Sequence, residues 1–192
     1  MRMFYAVNFE DRIKEELAKN LAEIKKHASR GNFTEKENFH ITLLFVGETA
    51  PDTLKELKKA ADNTVAKLKP SPVEAKIEGL GTFARPGDEL LWAGVKTTPE
   101  NILAAINRTL AEELEKSGIL LQKENKFSPH ITLARKVEFY EGSKSAIAQI
   151  KFAPIDFAVN AINLMESVQE TKIYGGRRYP QIAYKPIYET KF

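Results

Sequence analysis

The tetrapeptide His-Ile-Thr-Leu stands twice in this chain, at residues 40–43 and again at 130–133, nearly half a chain length apart. Only three histidines occur, and two of them, His40 and His130, head this motif. Each is followed at i+2 by a threonine, Thr42 or Thr132. Residues i and i+2 of a strand point to the same face. Each copy therefore aims an imidazole and a hydroxyl at one spot and turns its Ile and Leu the other way. Two copies suggest two imidazoles converging on one reacting group, as acid–base chemistry at a phosphate requires.

Hydrophobic and polar punctuation extend the repeat into a fold. Residues 4–9 read as a first strand, and residues 10–29 have the spacing of an amphipathic helix (Ile13, Leu17, Leu21, Ile24), ended by Gly31-Asn32. Residues 39–46 form the strand of the first motif. A second helix spans 52–68, entered at Pro51, with Leu54, Leu57, Ala61, Val65 and Leu68 inward. Pro70 and Pro72 break the chain. Strands at 73–77 and 90–95 follow, joined by the glycine-rich segment 79–87, in which 84–89 reads as a loop within a sheet.

The second half repeats the theme. It has a helix at 100–117, the second motif strand at 127–134, a short helix at 143–149, and strands at 150–159, 162–167 and 181–187 with a turn at Gly175-Gly176. Many short strands adjoin one another directly. That argues for an α+β fold of two similar lobes, not a doubly wound parallel sheet. The length suits a single domain over 1–192, with 43% hydrophobic residues to build a core.

Several chemistries drop out. The chain has no cysteine, so disulfides, thiolate nucleophiles and cysteine-ligated metals are excluded. There is no His-x-x-x-His and no carboxylate in either tetrapeptide, which disfavours a metal site. G-x-S-x-G, P-loop and G-x-G-x-x-G patterns are missing. A net charge of +3 admits an anionic substrate without the basic stripe that grips long nucleic acid. No signal peptide or membrane-length apolar run stands out, so a cytoplasmic protein is expected.

The motif residues fit phosphate chemistry. Histidine titrates near pH ~6.5, so one imidazole can donate a proton while a second accepts one. A threonine hydroxyl can hydrogen-bond a non-bridging phosphate oxygen. Arg135 lies three residues after Thr132, and its guanidinium suits an anionic phosphate. The first copy has Phe45 at the equivalent place, so the site is chemically asymmetric. His27 reads as an exposed helix-end residue. Trp92, between Leu91 and Ala93, reads as core, with stacking on a base as the alternative.

With both motifs in context, the chain resembles the 2H phosphoesterase superfamily, and within it the RNA 2′,3′-cyclic phosphodiesterases historically called 2′-5′ RNA ligases. The resemblance covers nearly the whole chain. It includes Met3-Phe4-Tyr5-Ala6-Val7, the stretch from Glu37 through the first motif to Glu48, Gly79 to Phe83 leading to Leu91-Trp92-Ala93-Gly94-Val95, and Phe127-Ser128-Pro129 running through the second motif to Arg135. Ala84 departs from the proline common in the family.

The resemblance implies a bilobal fold with pseudo-twofold symmetry and one motif per lobe across a cleft. It implies metal-free, cofactor-free hydrolysis of a 2′,3′-cyclic phosphate to a 2′-phosphomonoester. His40 would protonate the departing 3′-oxygen, His130 would take a proton from water, and Thr42, Thr132 and Arg135 would hold the phosphate. The expected partners are RNA ends, such as tRNA fragments, or nucleoside 2′,3′-cyclic phosphates, bound by a monomer. The alternatives are 2′-5′ ligation of a cyclic-phosphate end to a 5′-hydroxyl, with the hydroxyl replacing water, and a non-catalytic RNA-end binding module. The basic segment 171–179 (Lys172, Arg177, Arg178) would either dock an RNA backbone or form a solvated turn.

Overall fold

The first strand, β1 (Arg2–Asn8), is buried on both faces, and the architecture is built around that fact. The computed structural model describes residues 1–84, 89–121 and 127–192. Met3, Tyr5 and Val7 enter the main core, whereas Phe4 and Ala6 join Met165 and Tyr184 in a small second cluster. The main core is the helix-covered side. The second cluster forms the floor of a cleft.

The remaining elements follow in order: α1 (Asp11–Lys25), β2 (Ala28–Phe33), β3 (His40–Glu48), α2 (Leu54–Leu68), β4 (Val73–Phe83), β5 (Leu90–Thr98), α3 (Ile102–Lys116), β6 (His130–Phe139), α4 (Ser143–Gln149), β7 (Ile155–Val159), β8 (Ala161–Tyr174) and β9 (Arg177–Lys191). Two antiparallel sheets result, with strand orders β3-β1-β8-β9 and β2-β6-β5-β4-β7. The α+β expectation holds. Setting β3-β1-β8-β9 beside β6-β5-β4-β7 superposes the two motif strands, which is the internal symmetry expressed as strand order. Each sheet draws on both halves of the chain, so the lobes are interleaved. α1 leaves the four-stranded sheet yet packs on β2 and β7. α3 leaves the five-stranded sheet yet packs on β3.

The helices sit where their apolar spacing puts them. Ile13, Leu17, Leu21 and Ile24 of α1 are buried, and buried Asn20 exchanges two hydrogen bonds with the Ala153 backbone (3.0 and 2.8 Å). α2 and α3 pair side by side and are tied by Asn63 Nδ2 to Glu113 (2.9 Å) and Lys67 to Glu112 (2.9 Å). Asn107 of α3 donates to the Leu43 carbonyl (2.7 Å), satisfying one acceptor on the open edge of β3.

Several boundaries differ from the sequence reading. α1 ends at Lys25, and Ala28–Phe33 is a strand, because β6 offers an edge with which it pairs. His27 is accordingly half-buried, not exposed, with its carbonyl accepting from Tyr140 N (3.1 Å). β4 runs unbroken to Phe83 through a bulge between Glu78 and Leu80. Of the expected loop 84–89, residues 85–88 lie outside the described residues. β6 begins at His130 and continues to Phe139, and β7 begins only at Ile155. Segment 171–179 is mostly not loop. Thr171 to Tyr174 pair with Pro180 back to Arg177, and Gly175 and Gly176 make the turn, both with positive φ (54° and 78°). Pro180 and Pro186 are tolerated in β9 because it is an edge strand.

Candidate active site

His40 and His130 are the first residues of β3 and β6, and the two strands show the same burial from that point: half-buried, buried, half-buried, buried, buried, exposed. Ile and Leu of each motif are fully inside, which fixes the register and turns His and Thr outward. β3 and β6 pack against each other and bring the two motifs together.

Each imidazole is oriented in the same way. His40 Nδ1 lies 2.7 Å from the Asn38 carbonyl, and His130 Nδ1 lies 2.8 Å from the Ser128 carbonyl. A carbonyl only accepts, so both rings carry their proton on Nδ1 when neutral. Nε2 is therefore the unprotonated nitrogen of each neutral ring. His40 Nε2 sits 3.0 Å from Thr42 Oγ1, which donates to it in the neutral state. Thr34 holds the other motif, donating through Oγ1 to the Thr132 carbonyl (2.8 Å) and through its amide to the Leu133 carbonyl (2.9 Å).

The surroundings break the symmetry. His40 is packed between Phe4 (centroids 5.1 Å) and Tyr184 (4.9 Å, edge-on). His130 meets Phe83 edge-on at 5.2 Å, and Phe83 in turn lies 5.4 Å from Trp92. Desolvation in its aromatic slot pushes the His40 pKa down to about 4, with the nearby charges of His130, Lys14 and Arg135 acting the same way against the Asn38 hydrogen bond. His40 is therefore neutral at pH 7 in the free protein. Trp92 pairs with Gly81 on one side and Thr132 on the other. A Cβ on Gly81 would fall 2.2 Å from the indole, so the ring needs a bare glycine beneath it.

His40, Thr42, Thr132 and Arg135 line one cleft of about 890 Å³ between the sheets. His130 stands two residues before Thr132 on the same face of β6. Arg135 sits opposite Leu90 on one side and Asn32 on the other. The sequence reading missed Asn38 and Tyr184. The Asn38 side chain donates to the Ile182 carbonyl (2.7 Å) and accepts from Tyr184 N (3.2 Å), tying β9 to the strand entry that holds His40. Of the basic segment, Lys172 pairs with Glu35 (3.8 Å) at the cleft wall, and the Arg177 side chain lies outside the described residues. Among the described residues no cluster of three or more His, Asp or Glu could hold a metal ion. No described helix is long and apolar enough to cross a membrane.

The model of the 2′-5′ RNA ligase superfamily matches residues 10–171. An RNA 2′,3′-cyclic phosphodiesterase of Methanocaldococcus jannaschii is 32% identical over 159 residues, covering 82% of this chain and 84% of that one. The chain belongs to this superfamily. The Thermotoga maritima RNA 2′,3′-cyclic phosphodiesterase is 28% identical over the whole chain and 96% of its own length. Among solved structures, a Thermus thermophilus protein aligns over 100% of this chain and 97% of its own (TM-score 0.69, 22% identity). Escherichia coli LigT in complex with 3′-AMP aligns over 99% and 97% (TM-score 0.68, 23% identity). These two likenesses establish the fold. As a superfamily member, the protein is a 2H phosphoesterase.

Proposed function

We propose that the protein hydrolyses the 2′,3′-cyclic phosphate at an RNA end to a 2′-phosphomonoester, using His40 and His130 as an acid–base pair without a metal. The observation that carries this reading is the shared orientation of the two rings. Each is pinned through Nδ1 to the carbonyl two residues upstream, so each offers Nε2 for proton transfer. The names of the Thermotoga and Methanocaldococcus relatives, and the LigT complexes with 3′-AMP and with phosphate, support a nucleotide phosphate as the ligand.

In the proposed reaction, Arg135 and the hydroxyls of Thr42 and Thr132 hold the non-bridging oxygens. Water attacks phosphorus as His130 Nε2 removes its proton. The bond to the 3′-oxygen breaks, and that oxygen takes the proton from His40 Nε2. His40 must first gain a proton, because it is neutral in the free protein. The anionic phosphate supplies the reason for uptake, since an opposite charge at hydrogen-bond distance favours imidazolium. One chain carries both motifs, so a monomer suffices.

The test is turnover of a nucleoside 2′,3′-cyclic phosphate in excess chelator. A 2′-phosphate is the expected product, with His40→Ala and His130→Ala each losing about 10²–10⁴-fold in kcat, the usual size of a general acid or base contribution. A 3′-phosphate product would overturn the leaving-group assignment, and loss of turnover on chelation would overturn the metal-free mechanism.

A further inference from the structure

The cleft continues past the motif residues along β1 and β8 to Arg2, Phe45 and Ser167. Phe45 occupies the place in the first motif strand that Arg135 has in the second, five residues after the histidine. The first motif strand carries no cation at that place, but the neighbouring strand supplies one. The Arg2 guanidinium lies over the Phe45 ring, 5.1 Å from its centroid. Arg2 shares a face of β1 with Phe4, which lies directly across from Phe45, and it pairs in register with Ser167 of β8.

Two features make this a binding group and not a surface charge at rest. Among the described residues no carboxylate forms an ion pair with Arg2. Glu48, its neighbour across β3, lies 3.8 Å from the N-terminal amine instead. Lys172, by contrast, has a carboxylate partner, lying 3.8 Å from Glu35 of the cleft wall. A cation over a ring face does not spend its N–H donors on that contact, which leaves the guanidinium able to bind a phosphate in two-pronged fashion. Arg2 lies four residues along β1 from Ala6, which faces Thr42, so the two centres are separated by about 13 Å of strand at ~3.3 Å per residue. The length of the arginine arm shortens that to a span within reach of one nucleotide.

We propose that Arg2, braced by Phe45 and flanked by Ser167, is a second phosphate subsite that binds the phosphate on the 5′ side of the terminal nucleoside. The inference rests on the cyclic-phosphate reading of the main site. It deepens that reading by naming what distinguishes an RNA end from a free nucleoside cyclic phosphate at this cleft, the second phosphate that the terminal nucleotide of an RNA carries.

The experiment compares KM for a nucleoside 2′,3′-cyclic phosphate with KM for the same compound bearing a 5′-phosphate, in wild type and Arg2→Gln. The wild type is expected to favour the 5′-phosphorylated compound by about ten-fold or more in KM with little change in kcat, the scale of a charge-assisted hydrogen-bonded contact. In Arg2→Gln the ratio of the two KM values falls close to one, and Arg2→Lys restores it only in part. A wild-type ratio near one, or a ratio unmoved by Arg2→Gln, overturns the subsite. If neither compound is turned over, the catalytic reading fails on its own. The subsite is then judged by calorimetric Kd for a nucleoside 2′,5′-bisphosphate against the 2′-monophosphate. A gain that Arg2→Gln abolishes supports it, and equal Kd values sink it.

Discussion

At the residue scale, the two histidines share one orienting device and differ in what surrounds them. Phe4 and Tyr184 enclose His40, which is why its pKa falls from 6.5 to about 4. Two measurements follow. In a titration followed by the His40 ring resonances, the free protein should show this low value, and a nucleoside 2′-monophosphate should raise it. A bound-state value still near 4 would give His40 the role of base and His130 that of acid. The second concerns stability. Between pH 6.5 and about 4 the unfolded chain takes up a proton at His40 that the native protein refuses, so stability falls as pH drops through that window. His40→Gln lacks this component, and its melting temperature should decline less than that of wild type over the same range. Parallel declines would show that the ring is not desolvated. The histidines and threonines were legible in the sequence because their chemistry resides in side chains at fixed spacing. The carbonyls of Asn38 and Ser128, which set both tautomers, were not, since every residue has one. The Arg2–Phe45 contact was hidden for another reason, because it joins residues on different strands.

At the element scale, the helices were readable and one strand was not. Ile13, Leu17, Leu21 and Ile24 are spaced for a helix and are buried in one. Ala28–Phe33 has no apolar alternation of its own, and its strand conformation comes from pairing with β6. The β8–β9 hairpin was read too short for a similar reason, as its outer part is polar and held by ladder hydrogen bonds down to the Gly175-Gly176 turn. That hairpin matters to the site because it delivers Tyr184 to His40, and Asn38 is what fastens it there. Asn38→Ala removes both side-chain bonds to β9 while leaving the backbone carbonyl that holds His40. Chemical denaturation should show a loss of about 1 kcal/mol, the net worth of one part-buried hydrogen bond with an exposed one beside it. An unchanged midpoint would mean that β9 docks without the clamp.

At the scale of the whole molecule, two sheets with matching strand order place one motif strand each at their junction, and the interleaved helices lock the sheets together. The repeat was visible in the sequence as two tetrapeptides, and the fold sets their strands against each other. The exchange of elements between lobes was not visible, because which sheet α1 or α3 covers depends on long-range packing. Phe45 against Arg135, and the Phe4–Tyr184 slot around His40 against the Phe83 edge at His130, show that the halves differ within a common frame. The central claim is that these two halves do one job between them. A double-mutant cycle on 2′,3′-cyclic phosphate turnover tests it most directly, because groups that act as a unit give strongly non-additive losses. The expected result is that His40→Ala with His130→Ala costs little more in kcat than either change alone. Losses that multiply, or a single variant that keeps full activity, would contradict it.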